Sequence, residues 1–330
     1  MNVLIVRADG IGDALACAPL VAALRGAGHT LGIVLGTRNR DIYARRAFES
    51  VHVLERIPWP RHGSTGPSRL AALRDARARR YDVAVIASEE MEAYRFAARA
   101  GIASRAGFIN GWEKPLKTLR VRALLSRAVV RSASAGRARE HEVETIFRLG
   151  AGLHTETAPT RDVARLAPLI LDDRVPLQGH VVVQVTAKFA TDGLDRDAYA
   201  ALVRALQARG HAVLLAGDER EIARGIAEAT GAAAEPAGGV VAWKARIAGA
   251  RALVSPDSGA AHVAGMLGVP CVDCFPPRAS TARDVLRWRP WAAPYRAHVL
   301  NPARSRGHTG AALARAVDEL LAMPRPIVHR

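Results

Sequence analysis

Two short stretches of the chain bring together residue types that could do chemistry. The first is Arg7-Ala8-Asp9-Gly10-Ile11-Gly12-Asp13; the second is Val254-Ser255-Pro256-Asp257-Ser258-Gly259-Ala260-Ala261-His262. Each follows an apolar run of strand length and leads into an apolar run of helical length. In open parallel sheets, ligands bind beyond the C-terminal ends of the strands, where helix N-termini turn their amides outward. An Asp at the start of a helix is held as a carboxylate by the helix dipole. Asp13 is therefore either a plain helix cap or a base for a hydroxyl proton. Gly10 and Gly12 also admit a dinucleotide reading. That match is weak, because the third glycine position is Leu15 and no acidic residue follows strand 31–35. In the second stretch, Gly259 lets a ligand approach the backbone. Ser258 and the first helical amides could hold phosphate oxygens. His262 lies one turn on and could face the same way, or be a partly buried histidine in a capped helix.

Other candidates read more simply. Asp195-x-Asp197 matches a metal-binding pattern, but it opens a helix and is better explained by capping. Cys271-x-x-Cys274 would suit redox or zinc chemistry. On a strand, however, positions i and i+3 point to opposite faces, so buried free thiols are expected. With five Trp, five Tyr and six Phe and no clustered aromatic motif, a nucleic-acid role would rest on charge alone.

The charge is large and uneven. The 330 residues carry 47 Lys plus Arg against 31 Asp plus Glu, a formal net of +16, and only Lys114, Lys117, Lys188 and Lys244 are lysines. The excess lies mostly in residues 1–165, which favours a polyanionic partner there. Residues 112–139 hold eight basic residues and one acid, with basic and apolar residues alternating in the middle. That segment reads either as a solvated helix and loop or as a surface for anionic lipid or sugar phosphate. No apolar run is long enough for a transmembrane helix. The N-terminal run is only strand-long and has no basic flank, so a cytosolic protein without a signal peptide is expected.

The elements that must position these residues alternate strand and helix. Strands are expected at 3–7, 31–35, 51–57, 82–87 and 103–108. Helices are expected from Asp13 to about Arg25 and near 39–48, 69–80, 89–100 and 140–150. Residues 157–178, with Pro159, Pro168 and Pro176, look like a connector. A second series follows, with strands at 180–185, 212–217, 252–256 and a final one at 270–275. Its helices lie at 196–209, 218–229, 240–249, 258–267 and about 308–322. Such alternation predicts two α/β units with parallel sheets, divided as 1–165 and 166–330.

Taken together, the two turns resemble glycosyltransferase family 9, the ADP-heptose:lipopolysaccharide heptosyltransferases. VLIVRADGIGDALACAPLVAALR is similar to the opening of that family, with Gly12-Asp13 and Pro19 in place. LVSPDSGAAHVAGMLGVPCVDCF resembles its second signature, with Asp257, Ser258-Gly259, His262 and Gly268-Val269-Pro270. Arg105-Ala106-Gly107-Phe108 and HEVETIFRLGAGL (141–153) resemble further family segments.

The resemblance implies a GT-B fold: two Rossmann-like domains facing across a cleft, the N-terminal one binding acceptor and the C-terminal one a nucleotide sugar. It implies that the last helix, about 308–322, packs back on the first domain. It implies inverting transfer without metal or cofactor, to an anionic lipopolysaccharide-core-type acceptor at the inner leaflet. Asp13 matches the general base. Glu219, Asp257, Ser258, Gly259 and His262 match the donor site. Gly10, Gly12, Lys117, Arg120 and Arg122 fall on the acceptor side. The family's Lys and Trp after the first C-terminal strand fall here on Asp192 and Leu194, and Lys188 is expected to supply the charge instead. Its Phe-Gly-Pro is here Phe275-Pro276-Pro277. Two other classes compete: an NADP-dependent oxidoreductase, from Gly10-x-Gly12 and Arg38, and a non-catalytic basic binding protein.

Overall fold

The computed structural model describes residues 1–57, 63–64, 66–132, 139–187, 194–235, 238–301 and 303–323. The chain divides into two units: Met1–Arg161 with Pro168–Asp172, and Asp162–Ala167 with Asp173–Arg330.

The first unit runs β1 (Asn2–Val6), α1 (Ile11–Leu15), α2 (Ala18–Gly26), β2 (Thr30–Gly36), β3 (Ser50–Leu54), the short pair β4 (Arg56–Ile57) and β5 (Gly63–Ser64), and α3 (Gly66–Ala78). It continues with β6 (Val83–Ile86), α4 (Met91–Arg99), β7 (Ser104–Ile109), α5 (Pro115–Arg122), β8 (Arg127–Val130) and α6 (Glu142–Phe147); the next helix, α7 (Val163–Ile170), straddles the division. The second unit runs β9 (Val181–Val185), α8 (Arg196–Gln207), β10 (Val213–Gly217), α9 (Arg220–Thr230), β11 (Ala233–Ala234) and α10 (Gly239–Ala248). It closes with β12 (Ala252–Pro256), α11 (Gly259–Leu267), β13 (Cys271–Phe275), α12 (Thr281–Trp288), β14 (Tyr295–Val299) and α13 (Arg306–Ala322).

Each unit holds a six-stranded parallel sheet, ordered β3-β2-β1-β6-β7-β8 and β11-β10-β9-β12-β13-β14. The two orders are the same topology. In each, the strand order reverses beside the first strand, between β1 and β6 and between β9 and β12, which is where open α/β sheets leave a ligand crevice.

The central strands are apolar throughout because helices cover both faces. Leu4 and Val6 of β1 join a core with Val34, Ala84, Ile86, Tyr94 and Phe96 on the side of α3 and α4. By the period of two, Val3 and Ile5 face the opposite side, and both are fully buried. Burying one such side chain contributes about 1.5–3 kcal/mol.

Several sequence expectations are corrected. The helix expected from Asp13 to Arg25 is two helices. Pro19 in the first turn of α2 has no N–H to bond back to the preceding turn, so the helical ladder breaks at Ala16 and Cys17. No helix forms over 39–48 beyond the single turn Arg45–Ala47, because Asn39 is taken up in bracing the first turn. The strands β8 and β14 were not anticipated, and β14 rather than β13 closes the second sheet.

The connector holds helix α7, and the chain changes unit three times along the connector, one of them within the helix. Hydrogen bonds from Ala44 N to Leu169 O (2.7 Å) and from Arg45 N to the Asp172 carboxylate Oδ1 (2.8 Å) secure 168–172 to the first unit. The boundary expected between residues 165 and 166 therefore lies inside a helix. The last helix, expected to return to the first domain, packs within the second unit. Leu313, Ala314, Val317 and Leu320 of α13 belong to its core. Gly310 allows close approach to α8, since a Cβ there would lie 2.8 Å from Leu202 N.

The end of β10 is equally tight. Gly217 adopts φ +145°, and a Cβ there would sit 2.0 Å from the Val185 carbonyl oxygen of β9. Gly217→Ala should lower unfolding stability by more than about 2 kcal/mol, measured by urea denaturation; a midpoint equal to wild type would contradict the close approach.

Candidate functional site

The turn after β1 carries Asp13, and the residue that governs it is Arg7. Arg7 continues the alternation of Val3 and Ile5 and so enters the layer of α1, α2 and α6. It is 2% exposed. Its Nη2 lies 2.5 Å from Asp13 Oδ1 and 3.5 Å from Glu142 Oε1, and its Nε lies 3.3 Å from Asp9 Oδ2. Burial disfavours the charged guanidinium, but Asp13, Asp9 and Glu142 more than offset that and hold it charged.

Asp13 fills the capping role that the sequence offered. It accepts the Gly10 N–H at 3.1 Å, as the third helical residue of a capping box does. Its other oxygen meets Arg7, and a third of its side chain reaches solvent. The rest of the turn is braced from outside. Asn39 Nδ2 donates to the Asp9 and Gly10 carbonyls (3.0 and 3.3 Å), while Asn39 Oδ1 accepts from Gly36 N at 2.7 Å. Ser88, just past β6, donates to Asp9 Oδ1 at 3.3 Å. Because β6 adjoins β1, that serine arrives at the strand-order reversal itself. Gly12 lies within α1 and Gly10 caps it.

The charges extend along the strand ends of the first sheet. Glu142, the first residue of α6 and 1% exposed, accepts from Arg131 Nη2 at 2.6 Å. Arg131 follows β8, stacks over the Phe108 ring, and gives Nη1 to Glu89 Oε1 at 2.9 Å. Asn110, following β7, donates to Glu89 Oε1 at 2.6 Å and accepts from Lys117 Nζ at 3.0 Å. Burial raises the Glu89 carboxyl, but Arg131, Asn110 and Lys117 together bring it below the usual range. Burial draws the Lys117 ammonium below the usual lysine range against the pull of Glu89. Beneath the turn, burial pushes the Cys17 thiol up to about 12.

Sequence reasoning named Gly10, Gly12, Asp13 and Lys117 in this region and gave no role to Arg7, Glu89, Asn110, Arg131 or Glu142. One signal was available: Arg7 closes the apolar run VLIVR, where a charge needs a partner. Arg120 and Arg122 stand apart, exposed on α5. Beside them, Trp112 is 95%, Leu116 73% and Leu119 72% exposed.

In the second unit, Asp257, Ser258 and Gly259 form the turn from β12 into α11 and are half-buried. Ser258 is the N-cap residue, and its hydroxyl lies 3.0 Å from that of Ser255. Asp257 N bonds Cys274 O at 2.9 Å, tying the turn to β13. The first amides of α11 lack intrahelical acceptors and favour an anion. His262, in the first turn of α11, is 7% exposed, with its ring edge-on to that of Trp288 at 5.8 Å.

Glu219 precedes α9 at the end of β10, half-buried. Only β9 separates β10 from β12, strands about 10 Å apart, so Glu219 and the Ser258 turn lie beyond the same ends of one sheet. Lys188 and Asp192 lie outside the described residues. Asp195 caps α8, accepting from Ala198 N at 2.9 Å, and Arg306 pairs with both Asp195 and Asp197. Cys17, Cys271 and Cys274 are buried free thiols.

Comparison with known proteins gives these positions a context. Residues 69–307 match the model of glycosyltransferase family 9 (heptosyltransferase). No curated protein matches the chain in sequence. Among solved structures, E. coli heptosyltransferase WaaC with ADP is similar over 97% of this chain and 99% of its own, with TM-score 0.73 and 19% identity. E. coli ADP-heptose lipopolysaccharide heptosyltransferase II is similar over 97% and 98%, with TM-score 0.68 and 18% identity. The glycosyl transferase family 9 protein from Veillonella parvula is similar over 97% of both chains, with TM-score 0.73 and 13% identity. The paired six-stranded parallel sheets are those of a GT-B protein.

Removing one partner from the buried charge cluster should be costly. Arg131→Met, which takes the nearer cation from buried Glu142 and the cation from Glu89, should destabilise the protein by about 3–5 kcal/mol, read by urea denaturation. The pH dependence has a definite sign. The Glu89 carboxyl is depressed in the folded protein, so its stabilisation is fully present above its usual value near 4.5 and is lost as pH falls through the depressed one. Urea titrations from pH 3 to 6 on wild type and Glu89→Gln should show a shallower loss in the variant; equal slopes would contradict it.

Proposed function

The chain belongs to glycosyltransferase family 9, and from that premise we propose that it moves a heptose from ADP-heptose to an anionic, lipid-linked acceptor of the lipopolysaccharide-core type. The observation that carries the reading is the Asp13 carboxylate, held by Arg7 at the strand-order reversal of the first sheet and still partly open to solvent. An ion pair favours the charged form, and the charged form is the one that can accept a proton.

In the proposed reaction Asp13 takes the proton of the acceptor hydroxyl. The oxygen attacks the anomeric carbon opposite the leaving diphosphate, so the configuration inverts. The negative charge growing on the ADP product is met by the N-terminal amides of α11 and the Ser258 hydroxyl. Glu219, beyond the same strand ends, suits a ribose hydroxyl, and Lys188 would add a positive charge near the diphosphate. No metal ion or cofactor enters this scheme. The recognition of ADP and heptose is supported by the second turn, and by the heptosyltransferases of similar fold, one of them solved with ADP-2-deoxy-2-fluoro heptose.

The acceptor's lipid anchor would bring the enzyme to the cytoplasmic leaflet as a peripheral protein. Among the described residues, no helix is long and apolar enough to cross a membrane. The outward stripe of Trp112, Leu116 and Leu119, with exposed Lys114, Arg120 and Arg122 beside it, suits shallow insertion among anionic headgroups. Lys117 is not part of that face, since its ammonium is bonded to Asn110.

Two measurements test the reading. Asp13→Ala should reduce transfer from ADP-heptose at least 10³-fold while donor affinity, read by thermal shift, changes little. Undiminished turnover removes Asp13 as the base, and stabilisation by UDP- or GDP-sugars but not ADP-sugars removes the donor. The membrane-facing stripe is tested separately: Arg120→Glu with Arg122→Glu, and Leu116→Ser with Leu119→Ser, should each weaken binding to phosphatidylglycerol vesicles about tenfold or more. Equal binding would remove α5 from the interface.

A further inference from the structure

We infer that Glu142, acting through Arg7, sets the orientation and basicity of Asp13, so that both are positioning residues for the base; this deepens the reading of Asp13 above and rests on it. The geometry behind it is the sharing of one nitrogen. Arg7 Nη2 is 2.5 Å from Asp13 Oδ1 and 3.5 Å from Glu142 Oε1. Glu142 has almost no access to water, and its charge is further fixed by Arg131 at 2.6 Å. Its place as the first residue of α6, where the helix dipole favours a carboxylate, keeps it ionised without solvent.

Two demands on a base pull in opposite directions. A cation beside Asp13 holds it ionised and pointing one way, but the same cation weakens its hold on a proton. Glu142 and Asp9 dilute the charge of Arg7, leaving the orientation while restoring basicity. The cluster as a whole sets three cations, Arg7, Arg131 and Lys117, against four carboxylates, Asp9, Asp13, Glu89 and Glu142. One carboxylate is in excess. When the acceptor O–H bond breaks, its proton passes to Asp13 and the oxygen's electron pair forms the new bond to the anomeric carbon. The diphosphate oxygen leaves with the old bond's electrons, and the cluster reaches charge balance.

The remaining titratable neighbours do not compete. The Cys17 thiol is pushed up to about 12 by burial. The hydroxyls of Tyr43 and Tyr94 are raised by burial and donate to Ala14 O and Phe108 O. His141 Nδ1 accepts from Val143 N at 3.1 Å.

The test reads Asp13 directly. Carboxyl ¹³C NMR on Asp-labelled protein follows its titration in wild type, Glu142→Gln, Arg7→Met and Arg7→Lys, with the signal assigned by its loss in Asp13→Asn. Glu142→Gln should move the midpoint down and Arg7→Met should move it up, each by about one pH unit, with Arg7→Lys near wild type. The acidic limb of kcat, with ADP-heptose and a deacylated lipopolysaccharide core as probes, should move in the same directions. The plateau kcat should fall about tenfold in Glu142→Gln while KM for donor holds. A role in folding alone would not displace two midpoints in opposite senses. Should Arg7→Met fail to fold, an unmoved midpoint in folded Glu142→Gln still overturns the inference. Inactive Asp13→Asn with unmoved midpoints overturns the positioning role alone. Full turnover in Asp13→Asn overturns the base reading and this role with it.

Discussion

A guanidinium sits at the end of a central strand with almost no water around it. Taking an ion of that kind out of water costs several kcal/mol unless nearby charges and acceptors compensate. Much of the first unit's polar architecture follows from meeting that cost at Arg7. Asp9 and Asp13 come from the turn immediately after it, and Glu142 from the start of α6. Glu142 is itself buried and requires a second cation, which Arg131 supplies from the end of β8; Arg131 in turn engages Glu89 at the end of β6. The ion pairs thus run from one strand end to the next along a single edge of the sheet. A pair buried to this degree contributes little net stability against an apolar replacement. Its presence is better understood through what it holds, a carboxylate in one orientation beside solvent.

The two units use one topology for opposite electrostatic ends. Both sheets reverse strand order beside their first strand, and both carry a turn into a helix there. In the first unit the turn is negative: α1 has five residues, and its N-terminal amide at Gly10 is already occupied by the Asp13 carboxylate. In the second the turn presents Ser258 and the amides of α11, a longer helix, and offers positive potential. A transfer reaction with a diphosphate leaving group calls for both, a proton acceptor for the incoming oxygen and a donor array for the outgoing one. Use of the same topology twice lets each turn carry a different set of side chains.

The fold was largely legible in the sequence because buried parallel strands are nearly continuous apolar runs; VLIV, LGIV, VAVI, VVVQV and VLLAG mark themselves. The elements that escaped lack that signature. The strand β8 reads RAVV, with its residues half-buried or exposed, and β14 reads YRAHV on the sheet's far edge. Helix α7 holds Pro168, which in isolation signals a break, yet the helix continues through it to Ile170, with Leu169 O accepting from Ala44 N. The site was half legible. Gly12-Asp13 and Ser258-Gly259 are local patterns and can be read from neighbours in sequence. The pairing of Arg7 with Glu142 spans most of the first unit and exists only after the sheet has brought the start of α6 to the end of β1. The contact of His262 with Trp288 of α12 is likewise absent from the local pattern, because it joins two helices separated in sequence.

The large positive charge also changes meaning once the side chains are placed. Read from composition, the excess in the first half points to a polyanionic partner over a broad area. In the structure many of those arginines are aimed at the protein's own carbonyls. Arg25 donates to Arg46 O and Ala47 O, Arg77 to Arg99 O, Arg105 to Leu124 O and Ile102 O, and Arg127 to Leu149 O. Arg196 and Arg204 do the same for Gly225 O and Ala229 O in the second unit. Arginine near carbonyls at the ends of helices meets the negative end of the dipole and supplies the donors that the last turn lacks. The direction of such side chains is set by the fold and not by a ligand. Among the exposed basic side chains, Lys114, Arg120 and Arg122 are the ones that stand beside the apolar stripe of α5. A small basic cluster next to exposed Trp and Leu favours an anionic interface with an apolar interior, whereas a broad basic face without apolar side chains would have favoured nucleic acid.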